Sequence, residues 1–475
     1  MSESNSSLPW PETAPVAIIG GGLAGCECAL ALARAGVPVT LFEMKPERFS
    51  AAHLSPGLAE LVCSNSLRSD DPDAAVGMLK AEMRQLGSIV MQAAAATAVP
   101  AGKALAVDRA LFSAYVSERV AAAPAITLVR REILDLDDAA LARHAATVLA
   151  AGPLVAESLS QNLASVVGAA HLYFYDAIAP IVAADSIDMD KAFRASRYDK
   201  GGSATEESET EGGDYINCPM DEATYQAFVA ALIAAEKVQT RDFEKEIHFE
   251  GCMPIEALAA RGPLTLAYGP FKPVGLRDPR TGARPSAVLQ LRAENREKSC
   301  YNLVGCQTKL KYAEQERVFR LVPGLEHAEF LRLGAMHRNT FVNAPQVLAP
   351  GLELKTRPGV YLAGQITGVE GYVESAACGL WVGLALAASR LCLALAPPPP
   401  ESALGALLAH LGRPVSKFQP SNVNYGLMTP PAGRHPKKKR KELYGQRGRA
   451  CFQSWLCDNG AALTRLGLAA ANLQS

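Results

Sequence analysis

Residues 15–44, PVAIIGGGLAGCECALALARAGVPVTLFEM, run from an apolar stretch (Val16–Ile19) through three glycines into an alanine-rich stretch, then into a second apolar run ending on Glu43. A short apolar run closed by glycine reads as a buried strand, and the alanine-rich stretch as a helix, so the unit is strand, turn, helix, strand. Gly20, Gly22 and Gly25 stand in the GxGxxG arrangement around Gly21, with Glu43 about twenty residues on, where a ribose-binding acid is expected. Glycine permits the tight turn, lets the backbone approach a pyrophosphate and brings helix against strand, while the helix N-terminus faces the phosphates. The motif sits between a strand and a helix, which predicts a bound dinucleotide.

Working outward, further apolar strands are expected in AITLVRREI (125–133), TVLAAGP (147–153) and GVYLAGQ (359–365). The last leads into GVEGYVESAACGLWVG (368–383), a second glycine-rich strand-to-helix junction that brings Gly364 and Gln365 toward the first. Flavin domains of the glutathione-reductase type return late in the chain in this way, which favours FAD as the tightly held cofactor. The expected fold is therefore α/β: a Rossmann-like FAD-binding domain built from two segments, 15–190 and 330–475, with an inserted α+β domain at 191–329 on the substrate side. Residues 1–14 read as a disordered leader, and the acidic GGSATEESETEGGD (201–214) as a disordered loop.

The whole chain excludes some classes. At 475 residues it is too long for one ordinary core, and Lys plus Arg (47) nearly balances Asp plus Glu (48), so no global basic field advertises nucleic acid. The dense basic run is GRHPKKKRKELYGQRGR (433–449), either a solvated tail or a phosphate-binding one. The most apolar run, GLWVGLALAASRLCLALA (379–396), contains Arg390 and suits a buried helix better than a membrane span. A soluble, cytoplasmic protein is expected, with no membrane, metal or obligate protein partner. The cysteines number eleven, without CxxC pairs, and are expected to be reduced and mostly inert; Cys26, Cys28, Cys378 and Cys392 fall on expected core helices, and Cys218 is left undecided.

Longer phrases carry a resemblance: ELVCSNSLRS (60–69), VPAGKALAVDR (99–109), LYFYDAIAPIV (172–182), DSIDMDKAFRASRYDKG (185–201), YINCPM (215–220), FEGCMPIE (249–256), AMHRNTFVN (335–343) and GQITGVEGYVESAACG (364–379). Together they resemble the folate- and FAD-dependent tRNA (uracil-5-)-methyltransferase family, TrmFO, from about residue 15 to about residue 430. The resemblance implies 5-methyluridine formation in the T-loop of tRNA, with the carbon from 5,10-methylenetetrahydrofolate and electrons from NADH or NADPH through FAD. Uracil C5 is a poor nucleophile until a thiolate adds to C6, so such an enzyme needs an activated cysteine. The family motifs mark two: Cys252, commonly assigned as the nucleophile, and Cys63, beside the flavin. They are expected to meet when RNA binds and domains close.

Tyr372 follows the second glycine junction, where its ring is expected either to stack on flavin or folate or to pack in the core. Arg68 stands close enough to Cys63 to steady an anionic flavin or a thiolate, or else forms a surface ion pair. Lys272, Arg292, Lys309, Lys311, His337 and Arg338 are candidates, as a group, for phosphate or folate glutamate. Three other readings compete. The same chemistry on ribosomal RNA would carry nearly the same motifs. The related flavoproteins that modify wobble uridines with a partner GTPase match only at the FAD domain, and FEGCMPIE speaks against them. A non-catalytic RNA-binding flavoprotein is opposed by Cys63 and Cys252.

Overall fold

The computed structural model describes residues 14–469 except 51, 169–170, 178, 198–212, 239–252, 335, 416–417, 432 and 434–435. The opening unit forms the strand Val16–Ile19, the helix Leu23–Arg34 and the strand Val39–Glu43. Val16–Ile19 is central in a parallel sheet, flanked by Val39–Glu43 and then Ile126–Arg130 on one side, and by Ala146–Leu149 and then Val360–Leu362 on the other. Its central strand, VAII, is apolar and buried throughout, as expected of a parallel strand covered on both faces. The outermost strand comes from the far end of the chain, so two segments build one domain, as the second glycine junction implies.

The helix Tyr372–Arg390 follows that strand and crosses Leu23–Arg34 closely. Glycine makes the approach possible: a Cβ at Gly379 would lie 2.1 Å from the Ala24 carbonyl oxygen, and one at Gly383 would lie 2.8 Å from that of Cys28. Among the described residues this is the helix long and apolar enough to cross a membrane, but 83% of its apolar window is buried inside the protein, which makes it a core helix. It stops at Arg390. Cys392 takes a left-handed φ of +52° and the Leu393 N–H turns back to the Ala388 carbonyl, closing the helix end. Cys392 is therefore exposed instead of lying on a core helix.

The inserted region carries a six-stranded antiparallel sheet in the order Phe193–Ala195, Tyr215–Met220, Ala287–Ala293, Cys300–Leu303, Ile181–Ala183, Phe330–Arg332. Leu289, Leu291 and Ala293 point to one face, where Phe228, Ile255 and Phe319 from the covering helices complete a core separate from that of the parallel sheet. The sheet takes in residues on both sides of the 191–329 span. The reason lies in the connection: His171–Ala177 pairs antiparallel with Met336–Val342, and this ribbon carries the chain out and back, delivering Ile181–Ala183 directly into the sheet.

From Lys437 onward the basic run lies in a 22-residue helix, Lys437–Asp458, docked on the parallel-sheet domain. Phe452, Trp455 and Leu456 are buried, with Trp455 against Trp381 at 6.4 Å between ring centroids. Lys441 Nζ pairs with Asp71 Oδ2 at 2.5 Å and Arg449 with Asp73 at 3.1 Å.

Candidate cofactor cleft and thiol site

A cleft opens at the carboxyl ends of the parallel strands, lined by Gly20–Gly22, Glu43, Lys45, Ala150–Val155, Gly364 and Tyr372. The glycines divide by role. Gly20 has φ +107°, and a Cβ there would lie 2.6 Å from the Ala150 carbonyl oxygen; one at Gly25 would lie 1.9 Å from the Gly20 carbonyl oxygen. These two are required by packing. Gly22 is different: a Cβ there meets nothing within 4 Å, so its open side is space that a ligand can take. Gly22 also caps the helix Leu23–Arg34 with no side-chain acceptor, which leaves the first-turn N–H groups facing that space.

Glu43 is buried, and its Oε2 accepts the Gly21 N–H at 2.7 Å while Oε1 accepts the Lys45 N–H at 2.9 Å. The carboxylate thus braces the glycine turn and keeps lone pairs for ribose hydroxyls. Lys45 Nζ is tied to the Gly57 carbonyl and to Glu60. Opposite, Gly364 (φ +79°) would place a Cβ 2.7 Å from that of Ala24, so it lets the second junction close on the first helix, and Gln365 beside it is held by Glu370 at 2.8 Å. An open glycine edge, an uncapped helix N-terminus and a paired acid fit a dinucleotide.

Next to Val62, which lines the cleft, comes Cys63, half-buried. Tyr372 Oη accepts the N–H groups of Cys63, at 2.7 Å, and of Ser64, at 3.2 Å. Burial first, then the neighbouring Cys63, pushes the tyrosine pKa above its ordinary value, so the phenol stays protonated. Its ring lines the cleft while its hydroxyl holds the cysteine loop. Arg68, at φ +63°, forms an ion pair with the fully buried Glu374, two residues beyond Tyr372. Arg109 donates to the Leu61 carbonyl at 2.7 Å and pairs with Glu294. Arg292 donates through Nε to Asn65 Oδ1 at 2.9 Å and through Nη2 to Ser64 Oγ at 2.6 Å, while Asn65 Nδ2 donates to the Ala293 carbonyl at 2.8 Å. The Cys63 thiol lies within electrostatic reach of Arg109, Arg292 and Arg332.

Cys252 lies outside the described residues, as does the acidic loop apart from Gly213 and Asp214. The chain just after Cys252 is anchored: the Ile255 N–H reaches the Gln307 carbonyl at 2.7 Å, and Glu256 accepts from Thr308 Oγ1 at 2.9 Å and from the Lys309 N–H at 2.8 Å. The Lys309 backbone is therefore a neighbour of that segment. Lys311 pairs with Glu236 at 2.5 Å. Lys272 sits half-buried beside Phe271, and His337 and Arg338 lie on the connecting strand Met336–Val342. Of the grouped basic candidates, Arg292 is hydrogen-bonded to the Cys63 loop. Cys26, Cys28, Cys218 and Cys378 are buried, and burial pushes the Cys218 thiol up to about 12, as expected of inert core cysteines.

Sequence reasoning missed Ser64, Asn65, Arg109 and Glu294. One signal was present: in VLQLRAE, Gln290, Arg292 and Glu294 alternate with core residues, a pattern ordinarily read as a solvent face, yet all three are buried.

The family description "Glucose inhibited division protein A" matches residues 15–392. A protein of Oleidesulfovibrio alaskensis named methylenetetrahydrofolate--tRNA-(uracil-5-)-methyltransferase TrmFO is 64% identical over 439 residues, 92% of this chain and 96% of its own. One of the same name from Geobacter sulfurreducens is 57% identical over 94% of this chain and 99% of its own. Among solved structures, Aquifex aeolicus GidA matches with a TM-score of 0.66 at 16% identity, over 97% of this chain and 75% of that one, so the shared fold extends through the inserted domain. With near-complete coverage of relatives at more than half identity, the chain belongs to the methylenetetrahydrofolate--tRNA-(uracil-5-)-methyltransferase TrmFO family.

Proposed function

We propose that the protein is a cytoplasmic tRNA-modifying enzyme that makes 5-methyluridine in the T-loop. The carbon donor is 5,10-methylenetetrahydrofolate and the reductant is NADH or NADPH, acting through bound FAD. The observation that carries this reading is the 64% identity, across 92% of the chain, to a protein whose name gives methylenetetrahydrofolate, tRNA and uracil-5-methyl transfer. The cleft supports it: Gly20–Gly22, Gly25, Glu43, Gly364 and Gln365 would hold the dinucleotide, and the Cys63 N–H is held by Tyr372, a residue of the cleft lining.

The reaction balances as uracil plus methylenetetrahydrofolate plus NAD(P)H and a proton, giving 5-methyluracil, tetrahydrofolate and NAD(P)⁺. A cysteine thiolate, assigned to Cys252, adds to uracil C6 and pushes the electron pair to C5, which then bonds the methylene carbon. FAD, when bound, supplies the two-electron reduction. Loss of the C5 proton and expulsion of the thiolate restore the ring, and Cys63 with its surrounding guanidiniums is suited to hold charge or a proton at the flavin end.

The test is product analysis of a T-loop RNA incubated with protein, methylenetetrahydrofolate and reduced nicotinamide but no S-adenosylmethionine. 5-Methyluridine at the T-loop position supports the reading; product in ribosomal RNA alone, or no product, overturns it. A 5-fluorouracil T-loop is expected to trap a covalent adduct, with the peptide map placing it on Cys252. An adduct on Cys63 would exchange the two roles.

A further inference from the structure

We propose that Arg292, on the inserted sheet, is a positioning residue that holds the Cys63–Asn65 loop through Ser64 Oγ and Asn65 Oδ1, and is not an arm for phosphate or folate glutamate. The proposal deepens the reading of Cys63 given above and rests on it. Three observations carry it. Arg292 is 7% exposed, so its guanidinium is turned inward and away from any ligand arriving from solvent. Besides a hydrogen bond with Tyr215, it donates through Nε to Asn65 Oδ1 at 2.9 Å and through Nη2 to Ser64 Oγ at 2.6 Å, a fork onto consecutive residues immediately after Cys63. The same strand returns a third bond, from Asn65 Nδ2 to the Ala293 carbonyl at 2.8 Å, and Glu294 pairs with Arg109, which itself holds the Leu61 carbonyl. Residues 61 to 65 are thus gripped on both sides of the thiol by residues at or held by 292–294.

The opposite side of the loop is held by the flavin-side domain, where Tyr372 Oη takes the N–H groups of Cys63 and Ser64. The cysteine therefore stands between a tyrosine that starts the long core helix and an arginine on another domain. Its placement depends on both, and a shift of the inserted sheet against the parallel sheet is passed to the thiol through two side-chain bonds. Lysine cannot reproduce this grip: it keeps the charge but offers no planar pair of donors to two separate acceptors. Ser64 and Asn65 are the matching half, and removing them from the other side should act through the same link.

The experiment uses FAD-loaded protein and follows iodoacetamide labelling of Cys63 by peptide mass, which resolves it from the other cysteines and needs no turnover. Arg292→Lys is expected to change the Cys63 labelling rate by at least about fivefold. Asn65→Ala is expected to do the same, and the double variant is expected to change little more than either single one, because the substitutions cut one coupled link. In turnover, Arg292→Lys should lower kcat with little change in KM for methylenetetrahydrofolate. A labelling rate unaltered by Arg292→Lys, or fully multiplicative effects in the double variant, would overturn the proposal, as would an effect confined to KM for folate. Ser64→Ala, which removes only one half-buried hydroxyl, serves if Asn65→Ala fails to fold. If Cys63→Ala retains methylation, the assigned role of Cys63 falls while the labelling result still decides the coupling.

Discussion

The glycine turn of the cleft and the acid that braces it come from one strand–turn–helix–strand unit, residues 20–25 and Glu43, whereas the surroundings of Cys63 draw on residues 61–68, 109, 292–294 and 372–374. One is made of backbone, the other of side chains crossing between segments. At the first, the operative property is the absence of a Cβ, and position within a single strand–turn–helix unit supplies it. At the second, the operative property is a set of directed hydrogen bonds whose two halves are up to 309 residues apart in sequence. The first should tolerate changes elsewhere in the molecule. The second should register them.

The largest expected effects lie at the two thiols. Cys252→Ala should lower methyluridine formation by more than about 10³-fold while leaving FAD content and flavin reduction by nicotinamide intact, because a nucleophile acts only on substrate. Cys63→Ala should lose methylation to a similar degree and in addition change the visible flavin spectrum, since Cys63 follows Val62 and is held by Tyr372, both of which line the cleft. Rapid-scan absorbance on the two variants checks this. An unchanged spectrum in Cys63→Ala would remove Cys63 from the flavin and collapse the comparison.

The glycine end offers a sharper internal contrast. Gly25→Ala brings a methyl to 1.9 Å from the Gly20 carbonyl oxygen and should cost about 3 kcal/mol of stability. Gly22→Leu meets nothing within 4 Å, at an ordinary φ of −77°, so its fold stability should stay within about 0.5 kcal/mol of the parent. FAD affinity, however, should fall by at least about 100-fold, since the side chain occupies the approach of the pyrophosphate. Thermal melts of flavin-free protein and flavin titration separate the two outcomes. Full flavin occupancy in Gly22→Leu would mean that the open edge of the turn is not where the dinucleotide lies.

This contrast also explains what could be read from the chain alone. Gly20, Gly22, Gly25 and Glu43 could be assigned because their roles follow from spacing inside one supersecondary unit. The second junction at Gly364 was legible for the same reason. Cys63 was found only through the resemblance of LVCSNS, and its partners were not found at all: nothing in VPAGKALAVDR says that Arg109 meets Glu294, and the alternation in VLQLRAE fits a solvated face as well as a face covered by another domain. Local pattern reports which side of a strand is polar. What covers that side is a tertiary fact. The boundary of the inserted region was blurred for a related reason, since Ile181–Ala183 is three residues long and carries no periodicity of its own.

The smallest expected effect concerns the basic helix, where the same distinction applies to charge. Its run of cations invited a phosphate-binding role, but Lys441 is engaged with Asp71 and Arg449 with Asp73, in the turn that follows the strand Ser66–Ser69 beyond Cys63. The Lys441 bond also holds the Asp71 carboxyl below its ordinary range. A cation already paired within the protein exchanges one partner for another on meeting phosphate, whereas an exposed one such as Lys439 releases counterions outright. Lys439→Ala should therefore reduce the slope of log affinity for T-loop RNA against log salt by about 0.7–0.9, and Lys441→Ala by distinctly less. Lys441→Ala should instead loosen the Asp71–Asp73 turn, read as faster amide exchange across residues 70–74. Equal slope changes for the two would mean that the ion pair opens on binding, and that the basic helix belongs to the RNA surface and not to the scaffold behind Cys63.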